Sequence, residues 1–236
     1  MASRTIRLVG STLTAAGLAV ALTACSGGGG GSAGASASPQ HDVADGTTLA
    51  KSLLTTGSLP AGFSEDSVGK TDSGATLTSA APTVDLSTAS CSDILNTVGQ
   101  PGFGEAAYAD DSFTPSSLLG EFDETLFEFH GAGAAGFVSQ LDNALKRCGS
   151  FNTSDENGGK EAAKLTIDTP PKLGQSALSF SVWVDIGGNQ MVMTDVAVQQ
   201  GTAVVFLDNS TLATSPDEVD LGALAGDLLG RLPAKP

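Results

Sequence analysis

Positive charge is scarce in this sequence. Eleven Lys and Arg stand against 26 Asp and Glu, a formal net charge of −15 over 236 residues. Nucleic-acid phosphates require the opposite balance, so a nucleic-acid partner is excluded. Electrostatic adhesion to an anionic membrane is excluded for the same reason. Histidine is limited to His41 and His130 and cysteine to Cys25, Cys91 and Cys148, too few and too scattered for a four-ligand metal site. Charged residues make up only 16% of the chain and hydrophobic ones 40%, which suits one modest core and leaves no room for a second full domain.

What is present begins with an export signature. Arg4 and Arg7 precede an apolar run from Leu8 to Ala21, the length of a secretory h-region and too short to span a bilayer comfortably. The run ends in Leu22-Thr23-Ala24-Cys25, which resembles the bacterial lipobox. That resemblance implies cleavage before Cys25 and a diacylglyceryl group, of the palmitate type, on its thiol. An ordinary signal peptide followed by a coincidental cysteine is the alternative. From Ser26 to Ser38 the chain is almost entirely Gly, Ser and Ala, which cannot bury a core and behaves as a flexible tether. About 20 such residues reach roughly 25 Å, enough to hold a domain off the headgroups. The expected organisation is a signal peptide over 1–24, a lipidated cysteine and tether over 25–47, and a single domain over 48–236.

With Cys25 consumed by lipid, Cys91 and Cys148 have only each other in an oxidising compartment. Each falls on the apolar stripe of an expected helix: Cys91, Ile94, Leu95 and Val98 in one, Phe137, Val138, Leu141, Leu145 and Cys148 in the other. A bridge there would stabilise the fold by roughly 4 kcal/mol in the chain-entropy model. Two free buried thiols are the alternative.

The remaining pattern is that of an α+β domain. Thr48 to Ala81 reads as extended structure or short strands. Ser90 and Asp93 cap the Cys91 helix, and Gly99 and Pro101 end it. Glu121 to His130 is a strand covered on both sides, with Phe127 and Phe129 on one face and Phe122 and Leu126 on the other. A helix over Ala134–Cys148, a polar loop over Asn152–Lys160 and a strand over Ala163–Asp168 follow. Leu178 to Ile186 then alternates apolar and polar residues, Gly187-Gly188-Asn189 reverses the chain into Met191–Gln199, and Gln200-Gly201 turns it again into Ala203–Leu207. Such a run is an antiparallel meander. A last helix is expected with Ser215 as N-cap, Pro216 at N1, Glu218 at N3 and an apolar face of Leu221, Leu224, Leu228 and Leu232. The fold class is therefore α+β: a twisted antiparallel sheet packed with about three helices and one disulfide.

This order resembles the extracellular sensor domain of PknH-type bacterial receptor Ser/Thr kinases, also found on free-standing actinobacterial lipoproteins. The resemblance covers about Leu49 to Leu232 and rests on Ala135-Gly136-Phe137-Val138-Ser139-Gln140-Leu141, on Cys148-Gly149-Ser150-Phe151 and on Leu173-Gly174-Gln175-Ser176. It implies a twisted antiparallel sheet backed by helices, with a cleft for an extracellular ligand. One possible bridge and no kinase half are expected for this chain.

Motifs for chemistry fail on inspection. Gly131-Ala132-Gly133-Ala134-Ala135-Gly136 matches G-x-G-x-x-G, but a Rossmann unit needs a second parallel strand after the helix, where this chain has polar loop. No G-x-S-x-G elbow lies in the folded part, and His130 is its only base, so no triad can be assembled. Asp155-Glu156-Asn157-Gly158 has cation-ligand types without the spacing of a calcium loop. No catalytic residue, cofactor or metal is expected. One surface stands out: Trp183 and Asp185 on one meander strand with Met191, Met193 and Asp195 on the next, expected to form a semi-apolar wall with polar handles suited to a small molecule. The competing reading is that this face is core. The expectation is a non-enzymatic lipoprotein on the outer face of the cell membrane, held by its diacylglyceryl anchor, that binds or senses an extracellular small molecule. The alternative is a structural or protein-interaction lipoprotein of the envelope.

Overall fold

The computed structural model describes residues 43–77, 82–116, 120–154, 160–186, 188–213 and 219–233. The expected signal peptide, Cys25 and nearly all of the tether lie outside them. Gly46 and Thr47, read as tether, belong to the one-turn helix α1 (Gly46–Leu49), capped by the Asp45 carboxylate. Two short strands follow, β1 (Phe63–Glu65) and β2 (Thr71–Asp72). Next come α2 (Cys91–Thr97), β3 (Ala107–Pro115), β4 (Gly120–Glu128) and α3 (Gly133–Leu145). The chain then runs through β5 (Ser150–Ser154), β6 (Lys160–Ile167), β7 (Ser176–Ile186), β8 (Asn189–Gln200) and β9 (Ala203–Leu212) to α4 (Leu221–Arg231).

All nine strands join one antiparallel sheet in the order β1-β3-β4-β9-β8-β7-β6-β5, with β2 beside β1 on the outer edge of β3. The meander thus runs from β5 through β9, and the β3–β4 hairpin docks on β9. Tight hairpins set its register: Ile186 pairs with Asn189 across a turn containing Gly188 (φ 85°), and Gln200 with Ala203 across Gly201 (φ 62°). With no parallel pair among the described residues, the G-x-G-x-x-G run is a corner between strand and helix. Gly131 turns it with φ 55°, and a Cβ on Gly133 would lie 2.9 Å from that of Phe129.

Alternation along the strands gives the sheet two apolar faces, each covered by helix. On the first, Phe127, Phe129, Phe180, Val182, Val204 and Phe206 pack with Ile94 of α2 and Phe137, Val138 and Leu141 of α3. Cys91 and Cys148 are bonded on this side, 57 residues apart in sequence. On the second, Phe113, Phe122, Leu126, Val198, Val205 and Leu207 pack with Leu49 of α1, with Leu53 and Leu54, and with Leu221, Leu224 and Leu228 of α4.

Three local expectations are corrected. Strand β3 occupies a stretch to which no element is assigned above, because Asp111 interrupts the inward-facing set of Ala107, Ala109 and Phe113. The polar loop after α3 is shorter than expected: Asn152 to Ser154 pair with Ala162 to Lys160, since an edge strand tolerates polar side chains on both faces. The final helix starts at Leu221, where the Asp220 carboxylate accepts the Ala223 amide. Ser215, Pro216 and Glu218 lie outside the described residues.

Candidate functional site

The five residues expected to form a ligand wall do not share a face. In an antiparallel pair, residues directly opposite point the same way. Trp183 pairs with Val192, whereas Met193 pairs with Val182 and Met191 with Val184. Asp195 lies opposite Phe180 and Asp208, and it is 3% exposed. Met191, Met193 and Asp195 therefore belong to the face of α2 and α3, with Met193 packed against that core. Trp183 and Asp185 point to the other face, beyond the stretch that α4 covers. Trp183 is 36% exposed there beside Lys164 and Val192, and Asp185 accepts the Gly188 amide at 3.1 Å. Met193 and Asp195 belong to a packed face, while Trp183 is partly exposed on the other.

A cleft of about 470 Å³ lies elsewhere on the α1 and α4 side. Leu49 of α1, Leu229 of α4 and the residues after it, Leu232 and Pro233, form its apolar wall. Ala203, Gln200 and Gly201 of the β8–β9 hairpin, Gly174 and Gln175 before β7, and Glu128 at the end of β4 supply the rest. The polar rim is rigidly built. Gly174 (φ 60°) lets the turn press against β8, where a Cβ would come within 2.4 Å of the Gln199 carbonyl. Gln175 then donates its amide to that carbonyl at 2.8 Å, and its side-chain oxygen accepts the Gly201 amide at 2.8 Å and Gln199 Nε2 at 2.7 Å. Glu128, 1% exposed, accepts the Thr202 hydroxyl on both carboxylate oxygens at 3.0 and 2.9 Å. It is the single ionisable side chain among the described residues lining the cleft.

A second polar feature sits on the same side of the sheet. Asp111 of β3 and Glu124 of β4 pair directly, at 1% and 0% exposure. Glu124 Oε1 accepts the Leu54 amide at 2.8 Å, and Lys70 Nζ lies 3.7 Å from Asp111 Oδ2 while donating to the Leu54 carbonyl at 3.0 Å. Burial pushes the Glu124 carboxyl up to about 8, with the Asp111 charge adding to it. Burial also raises Asp111, to about 6, against the pull of Lys70.

Glu124 and Glu128 were not singled out in the sequence, yet a signal existed. Both alternate in step with Phe122 and Leu126, so they fall on an apolar face where a solvated carboxylate has no place. His130 is exposed. Among the described residues no three His, Cys, Asp or Glu side chains converge on a metal site, and no helix is long and apolar enough to cross a membrane.

The fold defines an α+β class in which one antiparallel sheet is flanked by helices on both faces. Among solved structures, the chain is similar to the extracellular domain of PknH from Mycobacterium tuberculosis, with a TM-score of 0.57 and 10% identity over 81% of this chain and 98% of that one. An uncharacterized protein from Mycobacterium smegmatis aligns with a TM-score of 0.42 and 12% identity over 82% of this chain and 98% of that one. No protein-family model and no curated protein matches the sequence. The likeness to the PknH domain is one of fold.

Proposed function

We propose that this protein is an extracytoplasmic lipoprotein whose folded domain binds or senses a small molecule without transforming it. The carrying observation is the cleft between α1, α4 and the β8–β9 hairpin: an apolar wall facing a hydrogen-bonded rim, the composition of a binding site rather than of a reaction centre. No nucleophile–base pair sits in its described lining. Glu128 and the amides of Gln175 and Gln200 favour a neutral or cationic ligand with hydrogen-bond donors and an apolar flank, and the acidic surface repels anions. The likeness to a receptor kinase's extracellular domain supports the sensing role. The lipobox resemblance at Cys25 supports the anchor at the outer face of the cell membrane.

One observation favours the alternative of contact with an envelope protein: Trp183 is 36% exposed on the sheet face opposite α2 and α3. A thermal-shift screen of the protein against envelope lipids, glycans and peptides separates the two. A ligand at about 100 times its Kd contributes roughly 2.7 kcal/mol and raises the midpoint. Leu229→Trp, which fills the cleft, should abolish that rise, and Trp183→Ala should leave it intact. A rise lost in Trp183→Ala and kept in Leu229→Trp would move the site to the open sheet face.

A further inference from the structure

We propose that the segment from Leu49 to Leu59 is a strap latched onto the sheet by a proton held between Asp111 and Glu124, so that its attachment loosens as the pH rises. The geometry is that of a two-carboxylate site with too few donors. The two side chains are cross-strand neighbours on one face and both are buried; Asp111 Oδ1 accepts the Ser112 amide at 3.0 Å, Asp111 Oδ2 has only the 3.7 Å ion pair with Lys70, and Glu124 Oε2 has no hydrogen-bond partner. Two carboxylates enclosed together cannot both ionise cheaply, and a proton on one supplies the missing donor.

The charged groups facing the pair are few. Lys70, between β2 and β1, reaches Asp111 at 3.7 Å and is itself one-third exposed. Glu65 on β1 acts on Asp111 in the unfavourable sense, and Arg231 at the end of α4 acts on Glu124 in the favourable one. One near cation and one distant one face three carboxylates.

The strap is fastened where these charges act. The Leu54 amide donates to Glu124, its carbonyl accepts Lys70, Arg231 Nη1 donates to the Leu53 carbonyl at 3.2 Å, and the Ser52 hydroxyl donates to the Arg231 carbonyl at 2.9 Å. Ionisation of both carboxylates draws Lys70 and water toward the pair and strains the packing of Leu53 and Leu54 above it. Leu49, at the start of the strap, is also a wall of the cleft. An effect on ligand affinity rests on the binding reading above; the latch does not.

Hydrogen exchange of the full chain in detergent, read by mass spectrometry and corrected for intrinsic exchange, tests the latch without any ligand. Protection of the 49–59 peptide should fall by about tenfold or more between pH 5.5 and pH 9, while a peptide within β7 holds its protection. Glu124→Gln keeps a neutral acceptor for the Leu54 amide and should flatten that dependence. Asp111→Asn, which removes the anionic neighbour but leaves Glu124 buried, should weaken it and stands in if the first variant does not fold. Equal protection at both pH values in the wild type, or a loss that persists in both variants, overturns the latch. If the pH response is present and no ligand shifts the midpoint, the latch stands and the binding reading falls.

Discussion

Glu124 shows how one side chain couples sequence, packing and pH. Burial pushes its carboxyl up to about 8 from an ordinary 4.5, and that of Asp111 up to about 6 from 3.8. Both are raised, so the folded state keeps protons that the unfolded chain has released. Their contribution is complete below the unfolded values and is lost as pH rises from about 4 to about 8. Asp45 and Asp85 act in the opposite sense. Hydrogen bonds from Thr48 and from Ser87 hold them below the usual carboxylate range, and what they contribute is lost only in stronger acid. Urea denaturation between pH 5 and 8 should therefore give a midpoint that declines with pH, and Glu124→Gln should make the curve flatter. A midpoint that climbs over this interval would contradict the assignment. Gly174 gives a second residue-scale expectation. Gly174→Ala meets both a left-handed backbone and the Gln199 carbonyl, and should cost about 1–3 kcal/mol in a thermal melt while displacing the rim of the cleft.

Among the elements, the disulfide ties the first residue of α2 to the turn after α3, which ends at Leu145 rather than running to Cys148 as expected, over the face of Phe137 and Phe180. Cys148→Ala should cost about 2–5 kcal/mol in a denaturant melt, and the native, non-reduced domain should show no thiol from Cys91 or Cys148. Titration of both thiols before unfolding would refute the bridge in solution. The strand β7 shows why two kinds of residue behave differently in a single element. Phe180 and Val182 are core, whereas Trp183 is partly in water. Trp183→Ala should then cost well under the roughly 3–5 kcal/mol of a core aromatic, and acrylamide should quench the indole in the native protein. A shielded indole together with a large loss would place Trp183 in a packed interface.

At the scale of the whole molecule, the acidic charge and the expected anchor pull in different directions. A chain of net charge −15 gains nothing electrostatically at an anionic bilayer, so the proposed membrane association would have to come from acyl chains. Two chains on one diacylglyceryl group meet the threshold for stable anchoring. The native protein should sediment with membranes even in high salt, and Cys25→Ser should be retained unprocessed or appear in the soluble fraction. Native protein found wholly in the soluble fraction would remove the anchor from the proposal.

The sequence by itself determined the α+β class, the Cys91–Cys148 pairing, the two faces of β4 and the order of the meander. Each of these is a local or elimination property: period-2 alternation, turn glycines, or two thiols with no other partner. It also placed the apolar face of α4 at Leu221, Leu224 and Leu228, all of which are buried. The cleft and the carboxylate pair exist only once the strands have assembled. Their residues come from α1, β3, β4, β8, β9 and α4, which become neighbours through strand order rather than through spacing along the chain. The same holds for the expected ligand wall. Alternation within β7 and within β8 was legible, but their relative register depends on the two-residue hairpin at Ile186–Asn189, and a shift of one residue between strands exchanges the faces. That register put Met193 and Asp195 in the packed layer and Trp183, 36% exposed, on the other face, while alternation within β4 put Glu124 and Glu128 on the face of α1 and α4.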